Sequence, residues 1–304
     1  MIVTLTGTNF YLLKSRLDEL VSEFIKKHGE LALERIDAEE ADSQAILDTA
    51  QSLPFLASRK MVVVRNIGAN KTASGQIEQI IGSAGDTTDL IFYEPSPDKR
   101  TAYFKELKGQ TRLEEFNEMD AAALTKWLAG EARDQGGELS LTDANYLVER
   151  IGNNQEQLAN ELAKLITYEP KITRQNIELL TEKTPQSKVF DLLDAAFGGN
   201  KKRALELYAE QRNQKVEPQA IMAMIAWQLK LLALAKTGRG KSPQQIAKDA
   251  GLSPYPLMKA QNLARKIDDK KLAGMVAEAL EIDEKGKSTG IDLDEALKTY
   301  IVTL

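Results

Sequence analysis

The sequence predicts an α/β domain built on a parallel sheet, followed by an all-helical remainder. Two patterns carry that expectation. Over the first 135 residues, short apolar runs alternate with amphipathic segments of helical period, as in strands joined by helices that cover both faces of a sheet. Beyond Gly137 no segment reads as a strand, and apolar residues recur at helical spacing to the end of the chain. A length of 304 residues suits two or three domains.

The strand candidates are MIVTL, LALERI, KMVVVRN, DLIFYE and TRLEEF. Between them lie the helical patterns FYLLKSRLDELVSEFIKK, SQAILDTAQSL, SGQIEQIIG and KRTAYFKELK. The next helix, DAAALTKWLAGEARDQGG, puts Leu124, Trp127 and Leu128 on one face and ends at Gly136 and Gly137, so the first domain spans 1–137. Three short amphipathic helices, LTDANYLVERIG, NQEQLANELAKLITY and TRQNIELLTEK, form a small module over 138–184, with EKTPQSK as the linker. Residues 185–304 hold about five or six more helices. The longest places Pro218 in its first turn and Gly238 at its end. Met222, Met224 and Trp227, at helical spacing within it, read as core.

Composition excludes several functions. Hydrophobic residues make up 42% and charged residues 28%, an ordinary globular balance. No run approaches the roughly 18 apolar residues of a membrane span, and the N-terminus lacks the layout of a signal peptide, so a cytoplasmic location without membrane contact is expected. With no cysteine and only His28, thiol chemistry, a Ser/His/Asp arrangement and a His- or Cys-based metal site are not expected. His28, in KKHGE, reads as a helix end capped by Gly29. Net charge is -5, yet residues 186–304 carry 19 basic and 15 acidic side chains. That local excess permits a surface facing nucleic acid or an acidic partner.

The stretch TGTNFYLLKSRLDEL follows a strand as a phosphate-binding loop would, but fails the pattern GxxxxGK[ST]. Leu12 and Leu13 occupy the glycine and lysine positions, and Lys14 with Ser15 comes one residue late, about 100° around a helix. The best acidic candidate for a hydrolytic centre is Glu94 in LIFYEP, which reads equally as a strand-end residue. Asp191 and Asp194 lie three apart on an apolar helix, as solvated or capping groups do. Residues 242–267, SPQQIAKDAGLSPYPLMKAQNLARKI, carry the alanine, turn glycine and serine of a helix-turn-helix, with Lys259, Arg265 and Lys266 following. Pro254 and Pro256 stand where base-reading side chains should project, and two packed helices explain the pattern as well. The most unusual feature is QSLPFLASRKMVVV, where a helix ends at Leu53, Pro54 forces an extended turn, and Phe55 and Leu56 follow as an apolar pair. The pair either tucks under the sheet or anchors a partner's hydrophobic pocket.

Taken together, these residues resemble the delta subunit family of bacterial DNA polymerase III, part of the sliding-clamp loader. The resemblance runs through YLLKSRLDEL, LPFLASRKMVVVRN, SPDKRTAYFKELK, NNQEQLANELAKLITY before KITRQNIELL, VFDLLDAAFGGNKKRALELY and EIDEKGKSTGIDLDEALKTYIVTL. It spans nearly all of the chain. It implies an AAA+-like domain over 1–137 without a working phosphate loop, a helical lid over 138–184 and a helical collar over 185–304. The collar would join a pentamer with the ATPase subunits and the delta-prime subunit, on primer-template DNA.

The resemblance also implies a site. A hydrophobic pair just before A-S-R enters a pocket on the sliding clamp in that family, and Phe55 and Leu56 stand there, in reverse of the common leucine-phenylalanine order. Leu53 and Pro54 would shape the turn and Arg59 would flank it. The chain would then be a non-hydrolysing accessory subunit of the polymerase holoenzyme, without cofactor, metal or catalytic residue, that promotes clamp opening. A helix-turn-helix regulator and an AAA+-like NTPase with an atypical loop are the competing expectations.

Overall fold

The computed structural model describes residues 1–304 apart from Leu56, Arg239, Ser253 and Thr289, and apart from the Gln186 side chain. The chain divides into two units, Met1–Glu118 and Met119–Leu304. In the first, β1 (Ile2–Gly7), α1 (Phe10–His28), β2 (Leu33–Asp37), α2 (Ser43–Gln51) and β3 (Lys60–Arg65) are followed by α3 (Lys71–Gly75), α4 (Ile77–Ser83), β4 (Thr88–Pro95), α5 (Ala102–Gln110) and β5 (Arg112–Glu115). All five expected strands are present. They pair in parallel in the order β2-β3-β4-β1-β5.

Strand alternation decides which helix meets which face. Val62, Val64, Leu90 and Phe92 point to one side, against Ile46 and Leu47 of α2, Ile80 of α4 and Leu107 of α5. Val3, Leu5, Met61, Val63 and Ile91 point to the other, against Leu13, Leu17, Val21 and Phe24 of α1. The central strands β3, β4 and β1 are buried on both faces, which is why they read as continuous apolar runs.

The second unit comprises α6 (Ala121–Asp134), β6 (Glu138–Leu139), α7 (Leu141–Ile151), α8 (Gln155–Tyr168), β7 (Lys171–Ile172) and α9 (Arg174–Leu180), then α10 (Pro185–Phe197), α11 (Lys201–Asn213), α12 (Pro218–Thr237), α13 (Pro243–Ala250), α14 (Pro254–Ala264), α15 (Asp269–Ser288) and α16 (Leu293–Thr303). The division falls between Glu118 and Met119, ahead of Gly137 where the sequence suggested it. Leu124, Leu128 and Ala132 of α6 share a core with Leu147, Leu158 and Leu165 of α7 and α8, so this helix packs with the helices that follow it. A separate core gathers residues of α10 to α16, among them Leu192, Ile221, Ile225, Leu297 and Tyr300.

Three details depart from the sequence expectation. The parallel pair β6-β7 escaped it, because two-residue strands show no alternation to read. Among the described residues seven helices follow residue 184 where about five or six were expected, and Gly251, in the left-handed conformation at φ 65°, is the turn glycine between α13 and α14. The segment EKTPQSK is tied down: Thr184 N–H donates to the Arg150 carbonyl, and Ser187 Oγ to that of Glu149. Helix α12 is long and apolar enough to cross a membrane by length and composition. Its Ile221, Met222, Ile225, Leu229 and Leu232 are instead buried in the helical core, with Met224 and Trp227 packed against it.

Gly7, at the turn from β1 to α1, has φ 128°, and a Cβ built there would lie 1.8 Å from the Phe116 carbonyl oxygen. Gly7→Ala combines backbone strain with that clash. It should lower unfolding free energy by about 3 kcal/mol or more, read as a reduced urea midpoint at unchanged slope.

Candidate functional site

Helix α2 ends at Gln51, two residues before the expected Leu53, and Ser52 turns extended at ψ 150°. The chain then presents Leu53, 83% exposed, and Phe55, 75% exposed, while Pro54 is half-buried. Phe55 therefore does not tuck under the sheet. Ala57 packs against the core on the α1 side and fixes the far end of the turn. Leu56 lies outside the described residues.

Three side chains tie this turn to the elements around it. Arg59 donates from Nη2 to Asp89 Oδ1 at 2.8 Å and from Nη1 to the Asp86 carbonyl at 2.9 Å. Burial works to raise the Asp89 pKa, but the hydrogen bonds from Arg59 and the N-terminal amine outweigh it and hold the carboxyl below its usual range. Ser58 Oγ lies 3.4 Å from His28 Nδ1, at the end of α1. Lys60, the first residue of β3, is 1% exposed and donates from Nζ to the Thr49 carbonyl and, at 2.6 Å, to Ser52 Oγ.

Sequence reasoning missed Lys60, Ser52 and Leu31. Strand alternation was the available signal for Lys60, because it shares a face with Val62 and Val64, the face that α2 covers. Leu31 was hidden in the strand candidate LALERI, but β2 starts only at Leu33 and Leu31 is 82% exposed in a short 3-10 turn. The register Leu33 to Met61 sets the residues preceding β2 beside those preceding β3, and Ala32 shares a core with Ala57. Leu31 thus adds apolar surface at the end of the sheet that carries the turn.

At the β1-α1 junction, where an NTPase of this topology would hold phosphate, the helix N-terminus is already engaged. Asn9 accepts from the Leu12 N–H at 3.1 Å, its own N–H donates to the Phe116 carbonyl at 3.0 Å, and its Nδ2 donates to the Asn117 carbonyl at 3.4 Å. Leu13 is buried and Lys14 points to solvent. The chain leaving β5 therefore lies against Gly7 and Asn9.

Two family models match this chain, one described as DNA polymerase III, delta subunit, over residues 4–117, the other as that subunit's C-terminal domain, over 186–304. The chain belongs to the DNA polymerase III delta subunit family. It is 24% identical to DNA polymerase III subunit delta of Bacillus subtilis, covering 99% of this chain and 91% of that one. Against the Escherichia coli subunit delta it is also 24% identical, covering 66% and 61%. The solved Bacillus subtilis DNA clamp loader delta protein shares the fold, with a TM-score of 0.81 and 22% identity over 99% of this chain and 94% of that one.

The helix-turn-helix candidate is occupied by internal contacts in this delta-family chain. Tyr255, in the first turn of α14, is buried and donates to the Val148 carbonyl at 3.1 Å, and Lys259 Nζ donates to that of Glu149 at 3.1 Å. Lys266 pairs with Asp194 at 2.7 Å, and Lys183 pairs with Asp191, with both carboxylates still in contact with solvent. The entry to α14 is thus an internal packing surface.

Glu94 is buried at the end of β4 and accepts from the Ile67 and Gly68 N–H groups and, at 3.4 Å, from the Tyr103 hydroxyl. This is the strand-end role. Burial pushes its pKa up from 4.5 to about 7, against those hydrogen bonds and with help from Asp37. Between those two pH values the folded chain therefore holds a proton there that the unfolded chain has lost. Stability from this group is full below pH 4.5 and is lost as pH rises to about 7. The advantage of wild type over Glu94→Gln should shrink by roughly 2 to 3 kcal/mol between pH 5 and pH 8, measured by urea unfolding at each pH.

Proposed function

We propose that this chain is the delta subunit of a bacterial replicative clamp loader, which binds the sliding clamp through Phe55 and Leu56 and favours the clamp's opened interface. The observation that carries the reading is the exposed Phe55, beside exposed Leu53, on a turn closed at both ends by internal hydrogen bonds. Exposed apolar side chains on a turn held at both ends mark a binding surface, and exposed Leu31 lies at the same end of the sheet. Burying a phenylalanine and a leucine is worth about 3 to 6 kcal/mol before association costs. That energy promotes opening only insofar as the anchor fits the opened clamp better than the closed one.

In this reading residues 1–137 act as an AAA+-like domain that spends no ATP, 138–184 as a lid, and 185–304 as a collar joined to the ATPase subunits and delta-prime around primer-template DNA. The cytoplasm is the place of action. The Phe116 carbonyl against Gly7 and the cap of Asn9 on the first turn of α1 support the absence of nucleotide binding. The buried Tyr255 counts against a helix-turn-helix regulator, whose reading helix must be open at that end.

Phe55→Ala with Leu56→Ala should weaken binding to the organism's sliding clamp at least about 100-fold in calorimetric titration while leaving the unfolding midpoint unchanged. Undiminished affinity would exclude the pair. Equilibrium dialysis of the isolated chain with ATP should detect no binding, and saturable binding would overturn the reading of the β1-α1 junction.

A further inference from the structure

We propose that Lys60 is a positioning residue for the clamp-binding turn, ending α2 at Gln51 and setting the direction in which Leu53, Pro54 and Phe55 depart. The inference rests on the reading of Phe55 and Leu56 as the anchor and assigns its control to a residue that need not touch the partner. Lys60 begins the run KMVVVR, where packing alone would favour an apolar side chain. Its nearest carboxylate, Glu34, is 3.9 Å away and nearly half exposed. The close partners of the ammonium are two uncharged oxygens in the last turn of α2, the Thr49 carbonyl and Ser52 Oγ.

That choice of partners has a structural consequence. In a continuing α-helix the Thr49 carbonyl would accept from the N–H of Leu53. Here it accepts from Lys60 and, at 3.2 Å, from the Ser52 hydroxyl, while Ser52 N–H still closes on the Asp48 carbonyl at 2.9 Å. The helix is complete to Gln51, and Ser52 caps it. A cation at the C-terminal end of a helix also meets favourable dipole charge, which helps hold the ammonium out of water. Lys60 thereby joins the start of β3 to the end of α2, while Arg59 binds the adjacent residue to Asp86 and Asp89. Both ends of the loop carrying Phe55 are fixed, and less freedom is lost when the pair enters a pocket.

The test compares full-length wild type, Lys60→Met, Ser52→Ala, the double variant combining these two changes, and Phe55→Ala with Leu56→Ala, titrated against the sliding clamp. Lys60→Met keeps side-chain length and loses the donors. It should weaken clamp binding about tenfold and accelerate amide exchange across residues 50–58, with exchange in β1, β3 and β4 unchanged. Ser52→Ala, a surface change, should cost about threefold alone and nothing further in the Lys60→Met background, because both changes break one link. Wild-type affinity and wild-type exchange in Lys60→Met would overturn the role of Lys60. Should that variant fail to fold, unaltered clamp affinity of Ser52→Ala would overturn it instead. If Phe55→Ala with Leu56→Ala leaves affinity intact, the anchor reading fails first, and the two failures are told apart.

Discussion

The alternation of β3 is the constraint on which the first unit depends. Successive residues of KMVVVR face opposite sides, so Val62 and Val64 meet α2 while Met61 and Val63 meet α1. One strand thereby fixes two helices, and its first residue extends the same rule to a charged group. Lys60 lands on the α2 side because its place in the alternation leaves it no other. A one-residue slip would turn the ammonium toward α1 and take it away from the Thr49 carbonyl.

The fold was legible wherever burial was two-sided or periodic. The continuous apolar runs of β1, β3 and β4 announced a covered parallel sheet, and LTDANYLVERIG and NQEQLANELAKLITY announced amphipathic helices by spacing alone. The exposed phenylalanine was less legible, because an apolar residue after a proline suits a core or an interface equally, and only the folded chain separates these for Phe55. Lys60 was hidden for another reason. A lysine at the head of a strand looks like a solvated edge residue until the oxygens above it are located. The packing of α6 was not legible, because it has an ordinary amphipathic pattern and the sequence does not say which neighbour its apolar face will choose.

Polar groups inside both units secure geometry. Glu94 takes the N–H groups of Ile67 and Gly68, Tyr255 the carbonyl of Val148, and Asp294 the hydroxyl of Tyr208 together with the Arg212 guanidinium. Each joins segments distant in sequence. Such bonds contribute modestly to net stability but make alternatives costly, because a misplaced element would leave a buried polar group unpaired. A chain whose proposed work is to present a shaped surface gains from that kind of specificity more than from reactive side chains.

The close approach of Phe116 to Gly7 reaches beyond stability. Exchanging Leu12, Leu13 and Lys14 for glycine, lysine and serine would recreate the letters of a phosphate loop, while the backbone leaving β5 would still lie against Gly7 and Asn9. That segment is held by main-chain contacts, the Phe116 carbonyl lying against Gly7 and accepting from the Asn9 N–H. The junction is therefore shaped by main chain, and exchanges confined to the side chains of residues 10–14 would leave its path as it is.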